Sequence, residues 1–366
     1  MTSTLLALTA AASLLGSLYV CVFARDFALR RALLDRPNER SLHSTPVPRL
    51  GGVAIVLSSY AVLLLALHQR ESPHALWPWL LSALPVAALG LLDDLRPLPA
   101  LVRLLIQVGV AVAFCAWLPS MTSVQLTPGL SLHVAAPITL IAAGLFLVAL
   151  LNIYNFMDGM DGLAATQALG AALALATGAL AQGHEDIALL SLALLGAAGG
   201  FYLHNAPPAK LFMGDVGSTF LGFSFAATTL LGVARPTQPL ALSPALFALA
   251  PFLLDGSFTL LRRLFRGEKI WQAHRTHLYQ RAVASGLSHH EVLVRYAAWT
   301  AFGVLSSVAD VHTAGRFTWL LALGHAACFL AVWRWVCARE RALAEENQRA
   351  SKTPSSRSLR LDHPPA

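Results

Sequence analysis

Val134-Ala-Ala-Pro-Ile-Thr-Leu-Ile-Ala-Ala-Gly-Leu-Phe-Leu-Val-Ala-Leu-Leu151, followed at once by Asn152-Ile-Tyr-Asn155-Phe-Met-Asp158-Gly-Met-Asp161-Gly162, decides the fold. The first part carries no charge, and at 1.5 Å per residue a helix of that length crosses roughly 27 Å of hydrocarbon. The second part sets two carboxylates and two carboxamides directly against it. Charged groups near hydrocarbon cost a few kcal/mol each, so acids clustered at the end of an apolar run mark a functional site.

The rest of the chain repeats the pattern. Of 366 residues 56% are hydrophobic and 12% charged, and the mean hydropathy is +0.61. That leaves too little polar surface for a soluble globule. Apolar runs near spanning length occur at about 4–23, 50–67, 76–92, 101–118, 134–151, 163–181, 187–203, 219–234, 240–261, 292–309 and 316–336. The fourth holds Gln107 and the ninth Asp255, and two are short, so the expectation is an all-α polytopic membrane protein of ten or eleven helices. The first run has no basic residue ahead of it, so it reads as a helix and not as a cleavable signal.

Assigned alternately, the loops on one side hold 22 of the 26 Lys and Arg. The bias places the N-terminus outside and the C-terminus in the cytoplasm. The net charge of +7 is therefore a topology signal with a secondary pull toward anionic headgroups, and not a nucleic-acid footprint. The four cysteines lie in or beside apolar runs without metal-ligand spacing and read as packing residues. The expected division is an integral membrane domain over 1–337 and a disordered basic cytoplasmic tail over 338–366.

Every dense polar cluster falls in a loop that the charge bias puts on the cytoplasmic side. The first inner loop, with Arg40, His43, Arg49 and the pair Gly51-Gly52, suits an anion clamp of guanidinium forks and backbone amides as well as a positive-inside anchor. Asp93-Asp94 closes the third run, with Arg96 and Arg103 following; adjacent acids fit a divalent cation or a proton acceptor, or else a solvated helix end. Asn155, Asp158 and Asp161 recur every three residues and line one face if that segment stays helical, while Gly159 and Gly162 leave a broken helix as an equal reading. The stretch from His204 to Ser218 sets Asn205, Lys210 and a glycine-flanked Asp215 just before the eighth run, as a helix cap or a ligand site. In the longest inner loop, His274-Arg275-Thr-His277 offers phosphate donors; a Zn site there lacks further ligands at the right spacing. Asp255, seven residues before Arg262, is a weaker candidate. These groups together suit a phosphorylated or diphosphorylated substrate bridged by Mg²⁺. No Walker-type loop and no nucleophile elbow is present.

In this order and spacing, Asp93-Asp94, Asn155-Phe-Met-Asp158-Gly-Met-Asp161-Gly, Pro208-Ala-Lys210-Leu-Phe-Met-Gly-Asp215-Val-Gly-Ser and His274-Arg-Thr-His277-Leu-Tyr-Gln-Arg resemble the polyprenyl-phosphate N-acetylhexosamine-1-phosphate transferase superfamily, glycosyltransferase family 4, over about Asp35 to Arg281. The Pro37 to His43 loop and the His-x-x-His loop look closer to the bacterial O-antigen and teichoic-acid initiating branch than to the phospho-MurNAc-pentapeptide transferase. The resemblance implies transfer of an N-acetylhexosamine 1-phosphate from a UDP-sugar to undecaprenyl phosphate in the bacterial cytoplasmic membrane. UMP would be released, and the lipid product would initiate O-antigen or another envelope polysaccharide.

It also implies roles. Asp215 with Asn155 would bind Mg²⁺, or Mn²⁺ in its place. Asp93 or Asp94 would bind or deprotonate the lipid phosphate. Asp158 would support the diphosphate, and Asp161 would lie nearer the nucleoside. His274, His277, Arg275 and Lys210 would hold phosphates, with Asn152 and Asn205 among the substrate contacts and Arg40, His43 and Arg49 at the entrance. Arg103 stands where many relatives carry Lys, which changes how phosphate is held there. The expected partners are the bilayer, the lipid phosphate and the UDP-sugar, with a homodimer allowed and no nucleic acid. The second reading is a transporter or flippase of a lipid- or nucleotide-linked sugar, which would place its polar groups near the midplane and show internal repeats. A structural scaffold is the third.

Overall fold

A computed structural model of the chain describes residues 3–35, 45–68, 73–269 and 275–352. Twelve α-helices dominate it. They are α1 (Ser3–Arg30), α2 (Gly51–His68), α3 (Trp77–Leu95), α4 (Ala100–Trp117), α5 (Ala136–Met157), α6 (Leu163–Ala181), α7 (Glu185–Asn205), α8 (Gly214–Val233), α9 (Ser243–Phe265), α10 (Leu278–Ala284), α11 (His289–His312) and α12 (Thr318–Lys352). All but the short α10 are long and apolar enough to cross a membrane, so eleven spans are found where ten or eleven were expected. Two small antiparallel hairpins complete the fold: β1 (Leu34–Asp35) with β2 (Val47–Pro48), and β3 (Ser123–Thr127) with β4 (Leu130–His133).

In a bilayer a helix that is apolar all round can be buried or face lipid, and burial sorts the two cases here. The spanning part of α8 is wholly buried and forms the axis of the bundle. α2, α3 and α5 pack around it, and α1 lies outside against α7 and α2. α1, α4 and α12 present rows of exposed side chains such as Tyr19 and Phe23, Leu101 and Leu105, and Trp319 and Leu323, as lipid-facing helices do.

Small residues bring the axis helix close to its neighbours. A Cβ on Gly52 would stand 2.2 Å from the Gly217 nitrogen, and one on Gly90 would stand 2.4 Å from the Asp215 carbonyl oxygen. α2 and α3 therefore both meet α8 at its first turn.

The sequence expected structure to stop near residue 337, but α12 continues to Lys352. Beyond the membrane-length part, residues such as Arg339, Glu340, Arg341 and Glu345 are good helix formers that prolong a helix already nucleated by the apolar segment. Glu340 is also held by a two-pronged ion pair with Arg281 at 2.8 and 2.7 Å. The remainder of the expected tail, 353–366, lies outside the described residues.

Candidate active site

The ends of α3, α5, α7 and α9 and the starts of α4, α6, α8 and α11 all lie at one end of the bundle, and the predicted acids lie with them. A cavity of about 130 Å³ opens among α3, α4, α5 and α8, with Asp93, Arg103, Gln107, Asn152, Asn155 and Asp215 in its wall.

Arg103 organises the acids. Its Nη1 donates to Asp93 Oδ2 and lies 3.3 Å from Asp215 Oδ2, so one guanidinium nitrogen serves carboxylates from two helices. Asp93 also accepts from the Leu98 amide at 2.6 Å, which folds the α3–α4 turn against the carboxylate. The Asp215 side chain keeps 31% of its surface exposed.

Asp94 behaves differently from its neighbour. Its two oxygens accept from the amides of Asp215 at 2.9 Å and Val216 at 3.0 Å, so it caps α8 from a different helix. Successive helical residues point about 100° apart, which is why one acid of the pair faces the cavity and the other faces the α8 terminus. The sequence left open which of the two meets the lipid phosphate; the geometry puts Asp93 in the cavity wall.

Two more of the predicted acids are also occupied by backbone. Asp161 Oδ2 accepts from the Ala209 amide at 3.0 Å, and its Oδ1 lies 3.3 Å from His289 Nδ1. Asp255 is fully buried and accepts from the Leu278 amide (2.9 Å), the Tyr279 amide (3.4 Å) and the Tyr296 hydroxyl (2.6 Å), anchoring the start of α10.

The alternative that Asn155, Asp158 and Asp161 share a helical face does not hold. α5 ends at Met157 with Asp158 as its cap, and Gly162 takes φ +73° to start α6, a conformation that disfavours any residue with a Cβ. Asn155 stays in the last turn and reaches the cavity, while Asp161 turns away. Burial pushes the Asp158 carboxyl well above the usual carboxylate range, and the charges of Asp215 and Asp94 push in the same direction.

Several predicted contacts lie elsewhere. Gly51 and Gly52 donate their amides to Phe212 O (2.9 Å) and Met213 O (2.8 Å), so the glycine pair joins α2 to the α8 entrance and does not cradle phosphate. Arg49 pairs with Asp35 across the β1–β2 hairpin. Asn205 is buried, accepting from Gly162 N at 3.0 Å and donating to Leu211 O at 3.1 Å; its carboxamide braces two loops and does not line the cavity.

His277 is buried with its ring 3.5 Å from Asp255 and caps α10, which removes it from direct phosphate contact. It acts at one remove: Tyr279, the second residue of α10, donates to Phe156 O at 3.1 Å, and Phe156 lines the cavity. Lys210 is exposed on the 206–213 segment, and Arg275 precedes α10; neither lines the cavity. Arg40, His43 and His274 lie outside the described residues.

Gln107 was visible only as a polar residue in an apolar run. It belongs to the site: it is buried, lines the cavity, and accepts from Asn152 Nδ2 at 2.8 Å. Its position one helical turn after Arg103 was the available signal.

Among the described residues no group of three or more His, Cys, Asp or Glu is arranged to hold a metal. The cavity instead offers Asp215, Asp93 and the Asn155 carboxamide. That hard-oxygen set fits Mg²⁺, which commonly takes one or two carboxylates and completes its shell with substrate phosphate and water.

Residues 76–233 match the family profile of glycosyl transferase family 4. The chain is 32% identical over 314 residues, 84% of its length and 85% of the relative's, to a probable undecaprenyl-phosphate N-acetylglucosaminyl 1-phosphate transferase of Bacillus subtilis (strain 168). It is 31% identical, over 78% of each chain, to a decaprenyl-phosphate N-acetylglucosaminephosphotransferase of Mycobacterium tuberculosis (strain ATCC 25618 / H37Rv). It is 27% identical, over 74% of this chain and 75% of the relative, to an undecaprenyl-phosphate alpha-N-acetylglucosaminyl 1-phosphate transferase of Yersinia pestis. The matched region takes in the helices that bring Asp93, Arg103, Asn155 and Asp215 together, and the chain belongs to glycosyl transferase family 4, within the polyprenyl-phosphate N-acetylhexosamine-1-phosphate transferase superfamily.

Proposed function

We propose that the chain transfers an N-acetylhexosamine 1-phosphate from a UDP-sugar to a polyprenyl phosphate at the cytoplasmic face of a bacterial inner membrane. The observation that carries this reading is the convergence of Asp93, Arg103, Asn155 and Asp215, from four helices, on one cavity at a helix-end plane. The relatives named for N-acetylglucosamine make UDP-GlcNAc the first donor to try, and their names divide between undecaprenyl and decaprenyl carriers. The bias of basic residues supports the cytoplasmic side, and initiation of O-antigen or a comparable envelope polymer is the role such a product would serve.

The reaction follows from the groups available. An oxygen of the lipid phosphate attacks the phosphorus that bears the sugar. The phosphoanhydride bond to UMP breaks, and its electron pair leaves on the UMP phosphate. A lipid phosphate that arrives protonated gives its proton to Asp93, whose carboxylate is held in the cavity by Arg103 and the Leu98 amide. Arg103 steers the incoming phosphate by charge, and Asn155 orients the diphosphate by hydrogen bonding. A Mg²⁺ ion held by Asp215 and Asn155 would supply neutralisation of the charge that builds on the diphosphate.

The test is release of UMP by purified protein in detergent, with polyprenyl phosphates, Mg²⁺ and a panel of UDP-N-acetylhexosamines, with and without EDTA. Release that needs both lipid and metal is the expected result and identifies the sugar. Folded protein that releases no UMP with any donor overturns the assignment in favour of transport.

A further inference from the structure

α4 stands at the boundary between cavity and lipid. Leu104, the residue after Arg103, lines the cavity and yet keeps 44% of its surface exposed on the outside of the bundle. On that flank the wall between the acids and the surrounding hydrocarbon is therefore one side chain thick. Gln107 lies one turn beyond Arg103 on α4, roughly 6 Å deeper into the membrane, and closes the cavity at its membrane-facing end with Asn152.

The hydrogen bonds orient this carboxamide pair. Asn152 Nδ2 donates to Gln107 Oε1 and to Val148 O, both at 2.8 Å, so both of its hydrogens are used. Gln107 therefore turns its own NH₂ the other way, and among the described residues no protein acceptor takes it. A nearly buried amide with two unused donors, at the deep end of a cavity that also holds the Arg103 guanidinium, is arranged to receive an anion. A cation at that depth would carry a large desolvation cost, which a neutral amide avoids.

We propose that Gln107 binds the phosphate of the lipid acceptor, which enters past Leu104 on the α4 flank, while the UDP-sugar enters from the water-exposed end. The acceptor phosphate then lies between Gln107 and Arg103, with one oxygen left to face the donor diphosphate. The inference rests on the transferase reading above and adds the acceptor subsite to it.

Gln107→Glu tests it, because the glutamate still accepts from Asn152 while replacing the NH₂ by a repelling oxygen. The expected result is a rise of at least tenfold in KM for polyprenyl phosphate, with KM for the UDP-sugar changed less than threefold. Gln107→Asn, which keeps the amide but withdraws it by one methylene, should show a smaller rise in the same constant. An unchanged lipid KM in Gln107→Glu, or a rise in the UDP-sugar constant instead, overturns this inference alone. Wild-type protein inert with every donor overturns it together with the transferase reading.

Should Gln107→Glu fold poorly, Leu104→Cys provides the second measurement. Polyprenyl phosphate should slow alkylation of the thiol introduced by that substitution severalfold, beyond the background of the four native cysteines, and UDP-GlcNAc should not. Equal protection by both, or by neither, rejects the entry route and with it the subsite.

Discussion

The two ends of the helix bundle both carry acids in a largely apolar chain, and they use them in opposite ways. At the end with the β3–β4 hairpin, Asp186 is paired with Arg235, and the fully buried Asp310 accepts from the hydroxyls of Ser243 and Thr318. These acids tie α7, α9, α11 and α12 to their neighbours. At the other end Asp94, Asp161 and Asp255 do similar work by accepting backbone amides, but Asp93 and Asp215 face a cavity and share a single guanidinium nitrogen. An acid near hydrocarbon is costly at either end, so its presence alone does not mark chemistry. What separates the two ends is whether a carboxylate has been left facing open space.

The sharpest way to break this comparison is to neutralise one acid of each kind. Asp215→Asn should lower UMP release by at least about a thousandfold, since the charge stabilisation it supports is worth several kcal/mol. Thermal unfolding should barely change, because the side chain is partly exposed and caps nothing. Normal turnover in this variant would remove the metal assignment.

Asp255→Ala should do the reverse. It strands two amides and a tyrosine hydroxyl in a buried site and should cost about 3 kcal/mol of stability. The protein that still folds should keep turnover within about tenfold, because α10 only backs the cavity through Tyr279 and Phe156. A stable Asp255→Ala protein without activity would show that this acid belongs with the catalytic group.

The adjacent pair Asp93-Asp94 sharpens the same distinction at the scale of one residue. Asp94→Ala removes the acceptors for the first α8 amides and should cost about 1 to 2 kcal/mol, the usual worth of a helix cap. Asp94→Asn should recover part of that loss. Asp93→Asn should leave the melting temperature nearly unchanged and depress kcat. The opposite assignment of effects would exchange the roles of the two acids.

Much of the fold was legible because hydrocarbon imposes a length and a composition that few other structures share. The eleven apolar runs all appear as helices, displaced at their ends by a few residues. The largest errors lie where a helix leaves the apolar zone. α8 begins at Gly214, five residues before the apolar run, because Asp94 caps it from α3. α12 runs on to Lys352 because charged helix formers extend an existing helix.

The site was legible as a list of residues but not as a geometry. Asp93 and Asp94, or Asn155 and Asp161, cannot be separated by spacing, because the partner that claims each carboxylate comes from a helix distant in sequence. His277 looked like a phosphate donor for the same reason. Its burial against Asp255 depends on how α9, α10 and α11 pack.

The smallest expected effect belongs to the hairpin end and concerns pH. His184 is buried before α7, its Nε2 sits 2.8 Å from Gln238 O, and the Asp186–Arg235 pair lies beside it. Burial holds its pKa below the usual histidine value, and Arg235 lowers it further, against the opposing pull of the Gln238 carbonyl and Asp186. The folded state therefore refuses a proton that the unfolded chain accepts below about pH 6.5. Stability should be level above that pH and fall as the medium becomes more acidic, by no more than about 1.4 kcal/mol per pH unit for one proton. Melting temperatures measured from pH 5 to 8 should show this slope in the wild type and a flatter one in His184→Gln, whose side chain does not titrate. In the orientation proposed above this end meets the external medium, where pH varies most. A slope that survives His184→Gln would assign the acid sensitivity to another group, and the buried His325 on α12 is the next to replace.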